Sequence, residues 1–329
     1  MSIFLPPPEP KTDVTLPRLV LAFYYPWYGT PQGPTGSWRH WQEGGHNPDE
    51  FLGQRRDIGA AHYPVHGPYD SKNRSLTASH FELAEEAGID GFIVSWWGSD
   101  TFENEAFRLM LDVAEEIDTP VNLTIYYEEC PGGKNETAME IETILETYGR
   151  RGSFLKVEGY PVIFIYSRAF GQLTLEDWDY VLRNVRYDGY NASFIVDGSG
   201  PEVAKVFDGL HTYNPVWHLH RGENLTDIYV QLRGEAEEQG IIFAATVLPG
   251  YDDTHIGREN ELVAPRDGGQ TYSRTWEAAL LSDPDWILIC SWNEWHEGTE
   301  IEPSLEDRYL HLALTKYHAE RFNQFIEED

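Results

Sequence analysis

Eight short apolar runs recur along the chain, each continuous rather than alternating, and each followed by a longer polar or amphipathic stretch. They cover residues 19–25 (LVLAFYY), 91–97 (GFIVSWW), 122–128 (NLTIYYE), 162–167 (VIFIYS), 193–198 (SFIVDG), 210–214 (LHTYN), 242–248 (IFAATVL) and 286–293 (WILICSWN). Runs this short and this rich in β-branched and aromatic residues read as strands buried on both faces, the signature of a parallel sheet. Helix-like stretches lie between them at 80–87, 104–116, 136–148, 175–187, 225–239, 271–281 and 304–322. In one of these, Phe107, Leu111 and Ala114 share a face. In another, Thr174 with Glu176 and Asp177 supplies a cap and an acidic first turn. Eight strands alternating with helices predict an α/β chain folded as a (β/α)8 TIM barrel. A Rossmann sheet is the main rival, weakened because no strand runs into a G-x-G-x-x-G turn.

The 329 residues are 41% hydrophobic, enough for a large core in a single domain. Pro-rich residues 1–17 are expected to form an extended arm before a catalytic domain at 18–329. Residues 26–79 read as a large insertion after the first strand, lying over the barrel mouth, with a short strand expected at 61–65. Fifty-five acidic side chains against 24 basic ones give a net charge of −31. Such a field disfavours nucleic acid and anionic membranes as partners. Only six of the 24 basic residues are lysine, and this acidic, Lys-poor balance predicts a protein adapted to high salt. Cys130 and Cys290 adjoin apolar runs and read as reduced, buried thiols. No basic-plus-apolar leader opens the sequence and no run is long enough to span a bilayer, so a cytoplasmic monomer or weak oligomer is expected.

In a barrel, chemistry collects at the C-terminal ends of the strands. Here those ends carry aromatics and carboxylates: Tyr24-Tyr25, Trp96-Trp97, Tyr126-Tyr127-Glu128-Glu129, Tyr166, Asp197, Tyr213-Asn214 and Trp292-Asn293-Glu294-Trp295. Sugars have apolar C–H faces and hydroxyl rims, which is what such a lining accommodates. The densest cluster is 291–303, SWNEWHEGTEIEP. If the chain turns helically there, Glu294 and Glu297 share a side with Cβ atoms ~5–6 Å apart. Carboxyl groups ~5–5.5 Å apart serve retaining glycoside hydrolysis. An extended segment would instead put them ~10 Å apart. His296 between them reads as a residue that orients a glutamate or binds substrate. No histidine sits in an H-E-x-x-H unit, and His218-x-His220 beside Asp227 is a weak metal pattern, so neither metal nor cofactor is expected. The absence of a G-x-S-x-G elbow weakens a serine-nucleophile reading.

Four segments together resemble glycoside hydrolase family 99: 22–29 (AFYYPWYG), 67–71 (GPYDS), 91–98 (GFIVSWWG) and 292–303 (WNEWHEGTEIEP). The family comprises endo-α-mannosidases and endo-α-mannanases, with relatives assigned to polysaccharide synthesis. The resemblance implies a metal-independent, retaining endo-glycosidase acting on α-mannosides in oligo- or polysaccharides. By position, Glu294 resembles the base that deprotonates the substrate's own 2-hydroxyl, giving a 1,2-anhydro sugar, and Glu297 resembles the general acid and then base. Tyr25, Trp96 and Tyr166 match strand-end positions that line the family's sugar subsites. Tyr127 and Glu128 follow the third strand, where the family also binds substrate, although 126–131 (YYEECP) departs from its usual pattern. Trp292, Trp295 and His296 complete the expected sugar-binding set. The alternatives are a non-hydrolytic carbohydrate-binding barrel and a polysaccharide-assembly enzyme. The E-x-x-E pair speaks against the first, and the lack of a clear nucleotide-sugar motif against the second.

Overall fold

The computed structural model describes residues 16–324. The expected arm falls almost wholly outside them, at residues 1–15. At its end, the Pro17 carbonyl accepts a hydrogen bond from Trp286 Nε1 at 3.1 Å.

Eight parallel strands close on themselves. They are β1 (Leu19–Tyr24), β2 (Gly91–Trp96), β3 (Asn122–Tyr127), β4 (Tyr160–Ile165), β5 (Ser193–Asp197), β6 (Gly209–His211), β7 (Ile242–Val247) and β8 (Trp286–Ile289). Each pairs in parallel with the next, and β8 returns to β1 with Leu288 opposite Leu21. Helices α1 (Arg74–Glu86), α2 (Phe102–Ile117), α3 (Lys134–Thr147), α4 (Leu175–Tyr187), α5 (Pro201–Ala204), α6 (Leu225–Gln239), α7 (Gln270–Leu281) and α8 (Leu310–Gln324) follow the strands in turn. The fold is a (β/α)8 barrel.

Two apolar layers hold it together. Leu21, Phe23, Ile93, Phe164, Ile195, Ala244 and Leu288 fill the barrel. Their neighbours Val20, Ala22, Val94, Ile163, Val196, Ala245 and Ile287 pack outward against the helices. Alternation along a strand sends successive side chains to opposite faces, and here both faces are dry. That is why the runs read as continuous in sequence.

The structure revises several boundaries. Helix α1 begins at Arg74, inside the stretch assigned to the insertion, because Asn73 caps it by accepting from the Ser75 and Leu76 amides. Residues 61–65 form no strand. Pro64 makes one isolated bridge to Ser304, and the insertion's hairpin is instead Phe51–Leu52 with Arg55–Arg56. Helix α8 starts six residues later than expected. Ser304 Oγ accepts from the Asp307 amide, and Arg308 adopts a left-handed φ of 55°, which no helix tolerates. Cys290 is buried, but Cys130 is only half-buried, and both are free thiols. A second excursion, unforeseen in the sequence, separates β7 from α7 and carries the small hairpin Tyr251–Asp252 with Val263–Ala264.

Candidate active site

The segment after β8 is pinned from both sides. Trp292 N–H donates to the Phe23 carbonyl at 2.7 Å, and Asn293 bridges the Tyr25 backbone through its own side chain, accepting at 2.7 Å and donating at 3.0 Å. Ser291 Oγ accepts from the Glu294 amide, and the Tyr28 hydroxyl accepts from the Trp295 amide. The chain then makes a single 3₁₀ turn over Trp295–Glu297, with the Glu297 amide donating to the Glu294 carbonyl at 3.2 Å. The helical alternative for the E-x-x-E segment is therefore the one adopted. Gly298 ends the turn at φ 59°, where a Cβ would sit 3.0 Å from the Asp252 carbonyl oxygen. Only glycine suits that position.

Glu294, His296 and Glu297 face a cavity of about 570 Å³ at the C-terminal mouth of the barrel, together with Tyr25, Glu128 and Tyr166. These are six of the ten residues expected at the site. The other four lie elsewhere. Trp96 is buried beneath α2 with Nε1 donating to Asn104 at 2.9 Å, and Tyr127 points the same way, its hydroxyl donating to Glu140 at 2.5 Å. Trp292 packs against Phe92 and His80 in the outer layer. Trp295 is buried behind the loop, donating to the Tyr69 hydroxyl and Glu302. For Trp96 and Tyr127 the cause is strand alternation. Inward positions 93, 95 and 97 put Trp97, not Trp96, in the cavity, and 126 and 128 do the same for Tyr126 and Glu128.

Other lining residues went unnoticed in the sequence. Arg258, from the excursion after β7, donates to Glu297 Oε1 at 2.8 Å and to the Tyr251 hydroxyl at 2.7 Å. Arg168 lies 4.4 Å over the Trp97 ring, with Nη2 3.5 Å from Glu128. From the insertion come Trp27 and His40, stacked 4.7 Å apart at 11°. The run of aromatics at 24–28 hinted at Trp27; no local pattern marked Arg258.

Burial and like charge set the electrostatics. Glu294 is held well above the ordinary carboxylate range, first by burial and then by the Glu297 charge, with Arg258 pulling the other way. Burial pushes Glu128 up to about 7, although the Ser95 hydroxyl donates to it at 2.7 Å. Burial lowers His296 to about 4, so its imidazole is neutral near pH 7. His296 Nε2 donates to the His40 carbonyl at 2.6 Å, which leaves Nδ1 unprotonated and 3.7 Å from Glu294. His296 thus ties the turn that carries Glu297 to the insertion. His218, from the weak metal pattern, pairs with Glu223 at 2.5 Å.

The mouth of the barrel thus brings two carboxyls to one cavity, one buried and one paired to arginine, an arrangement able to take up and deliver protons. Comparisons with known proteins agree with a carbohydrate site. The chain is 26% identical over 366 residues to a glycoprotein endo-alpha-1,2-mannosidase-like protein of Mus musculus, covering 96% of this chain and 79% of the relative. It is 26% identical over 360 residues to the glycoprotein endo-alpha-1,2-mannosidase of Rattus norvegicus, covering 97% and 76%. The GH99 endo-alpha-mannosidase structure from Bacteroides thetaiotaomicron superposes with a TM-score of 0.79 at 26% identity, covering 93% of this chain and 97% of that one. The family model for glycosyl hydrolase family 99 matches residues 15–328, and the chain belongs to that family of glycoside hydrolases.

Proposed function

We propose that this protein is a retaining endo-α-mannosidase that works through the substrate's own 2-hydroxyl. The observation that carries the reading is the pair Glu294 and Glu297, held one 3₁₀ turn apart in a single cavity. Glu294 takes the base role. A buried carboxylate with raised proton affinity is suited to accepting a hydroxyl proton from its ionised form, and the Arg258 charge favours that form. The freed oxygen closes on the anomeric carbon, and the glycosidic bond breaks as Glu297 delivers a proton to the leaving oxygen. In the second half, Glu297 takes a proton from water as that water opens the 1,2-anhydro ring, and Glu294 returns its proton to O2. Between them the two carboxyls hold one proton, which their mutual repulsion favours.

The names of the Rattus norvegicus and Bacteroides thetaiotaomicron relatives, both endo-alpha-mannosidases, support mannosides as substrates. The test is product analysis with α-mannooligosaccharides by NMR, reading cleavage position and anomer together. Internal cleavage with retained configuration is expected; inverted product would overturn the mechanism, and terminal trimming the endo assignment. Binding without any product from the wild-type protein would favour a non-hydrolytic barrel.

A further inference from the structure

A second cavity of about 670 Å³ adjoins the first and shares Tyr166, Tyr213, Arg258 and Glu297 with it. Glu297 therefore stands where the two meet, while Glu294, His296 and Glu128 line only the first. A general acid must touch the oxygen that departs. On the reading that Glu297 is that acid, the second cavity receives the leaving part of the glycan. This inference rests on that reading.

Trp217 lines this second cavity and is nevertheless 48% exposed. It belongs to a short helical turn, Val216–His220, between β6 and α6. Burial is not what keeps so large an apolar ring there. Arg221 lies 5.8 Å from its ring centroid, and Asn214, His218 and Asn260 supply hydrogen-bonding groups to the same cavity. Asn214 also reaches Glu297, with Nδ2 3.5 Å from Oε2, so the acid and the cavity wall are connected. A half-exposed indole beside amide and imidazole groups matches a pyranose, apolar on its face and polar at its rim. The volume is in the range that holds a drug-sized molecule, more than one sugar ring needs.

We propose that Trp217 is a sugar-stacking platform for the leaving side of the substrate. The preferred substrate then carries at least two sugar residues beyond the scissile bond. The group acts on binding rather than on the bond-breaking step, so its contribution grows with leaving-side length.

The experiment uses α-mannooligosaccharides of constant length on the Glu294 side and one to four residues on the leaving side. For Trp217→Ala, the ratio of kcat/KM on long to short leaving groups is expected to fall roughly three- to tenfold, the range of one aromatic contact, mostly through KM. Trp217→Phe should restore most of that ratio. Tyr317 is a matched control: it is 56% exposed with Arg321 5.6 Å from its ring, but it sits on α8 away from the mouth, and Tyr317→Ala should leave the ratio alone. An unchanged ratio in Trp217→Ala, or an equal loss on every substrate, overturns the proposal. Inhibition of the wild type by free mannose, mannobiose and mannotriose gives an independent readout, expected to tighten with length; equal inhibition by all three overturns it as well. A wild type that cleaves none of the series fails the glycosidase reading itself, which separates the two failures.

Discussion

Arg258 places Nη1 2.8 Å from Oε1 of Glu297, while Glu294 shares the cavity. The guanidinium lowers the proton affinity of Glu294, against burial and against the Glu297 charge. If the working state holds one proton across the two glutamates, activity follows a bell in pH, bounded by loss of that proton and gain of a second. Removing a nearby positive charge raises both bounding values. Arg258→Met should therefore move the whole profile to higher pH, by about one unit or more. A kcat/KM profile measured from pH 4 to 10 checks this, and a shift to lower pH would contradict it.

The two glutamates should separate by leaving group. General acid catalysis contributes about 10²–10⁴-fold, and needs least where the leaving group departs unaided. Glu297→Gln should lose about that factor on oligosaccharides and much less on an activated aryl mannoside. Glu294→Gln should be impaired on both, since the nucleophilic oxygen must be deprotonated in either case. Steady-state rates on the two substrate types decide it; equal losses for both variants would break the division of roles.

How much of this was legible in the sequence depended on which pattern carried the information. Helix α4 was readable end to end because Thr174 announces its start, and its hydroxyl does accept from the Asp177 amide. The eight strands were readable because being dry on both faces makes each run continuous. That same continuity hides the inward and outward faces, so the sequence does not separate Trp96 from Trp97 or Tyr127 from Glu128. Glu294 and Glu297 came through because three-residue spacing after a strand has a local geometric meaning. Arg258 did not. Its role depends on a long excursion folding back over the mouth, and nothing within a few residues of it encodes that.

Glu128 makes a prediction about stability. Its carboxyl goes from an ordinary 4.5 to about 7 in the folded protein, which corresponds to about 3 kcal/mol of differential protonation. Below pH 4.5 both states are protonated and nothing is lost. Between 4.5 and 7 the unfolded chain ionises first, so the folded state is progressively penalised, and above 7 the penalty is complete. Glu128→Gln should thus unfold like the parent near pH 4 and be more stable at pH 8, by up to about 3 kcal/mol. Denaturant melts at the two pH values test this; equal stability at pH 8 would show the carboxyl is not destabilising there.

Arg266 supports the turn between Glu294 and Gly298 from behind. Its Nη2 donates to the Gly298 carbonyl at 3.0 Å and to the carbonyl and side chain of Glu300 at 2.7 and 2.6 Å. Glu300 is fully buried, and its other charged neighbour is His62, 2.8 Å away. Burial alone would depress His62, but the Glu300 charge more than offsets it and holds the imidazole above its ordinary value. Arg266→Met breaks a buried ion pair, leaves Glu300 to His62 alone of its two charged neighbours, and should cost about 3–5 kcal/mol. Adding Glu300→Gln should recover part of that stability. It would not restore kcat fully, because the clasp on the Gly298 carbonyl stays lost. Full recovery of both in the double variant would argue against a positioning role.

Salt provides the last test. With 55 acidic residues against 24 basic, the surface repels itself, and screening should relieve this. The Debye length falls from about 10 Å at 0.1 M to about 3 Å at 1 M, shorter than typical spacings between exposed charges. The melting temperature should rise by several degrees between 0.1 M and 1 M KCl, and activity should persist at the higher concentration. Exposed ion pairs work in the opposite direction, since salt weakens them too. Arg321 with Glu277 and Arg151 with Glu115 are examples. Each is worth at most about 1 kcal/mol, and carboxylates outnumber cations by 31, so repulsion dominates the balance. Melting in KCl at constant pH, with sucrose as a non-ionic control, reads the screening alone. A melting temperature that falls with KCl would mean the ion pairs outweigh the repulsion, and the high-salt adaptation would be rejected with the glycosidase chemistry untouched.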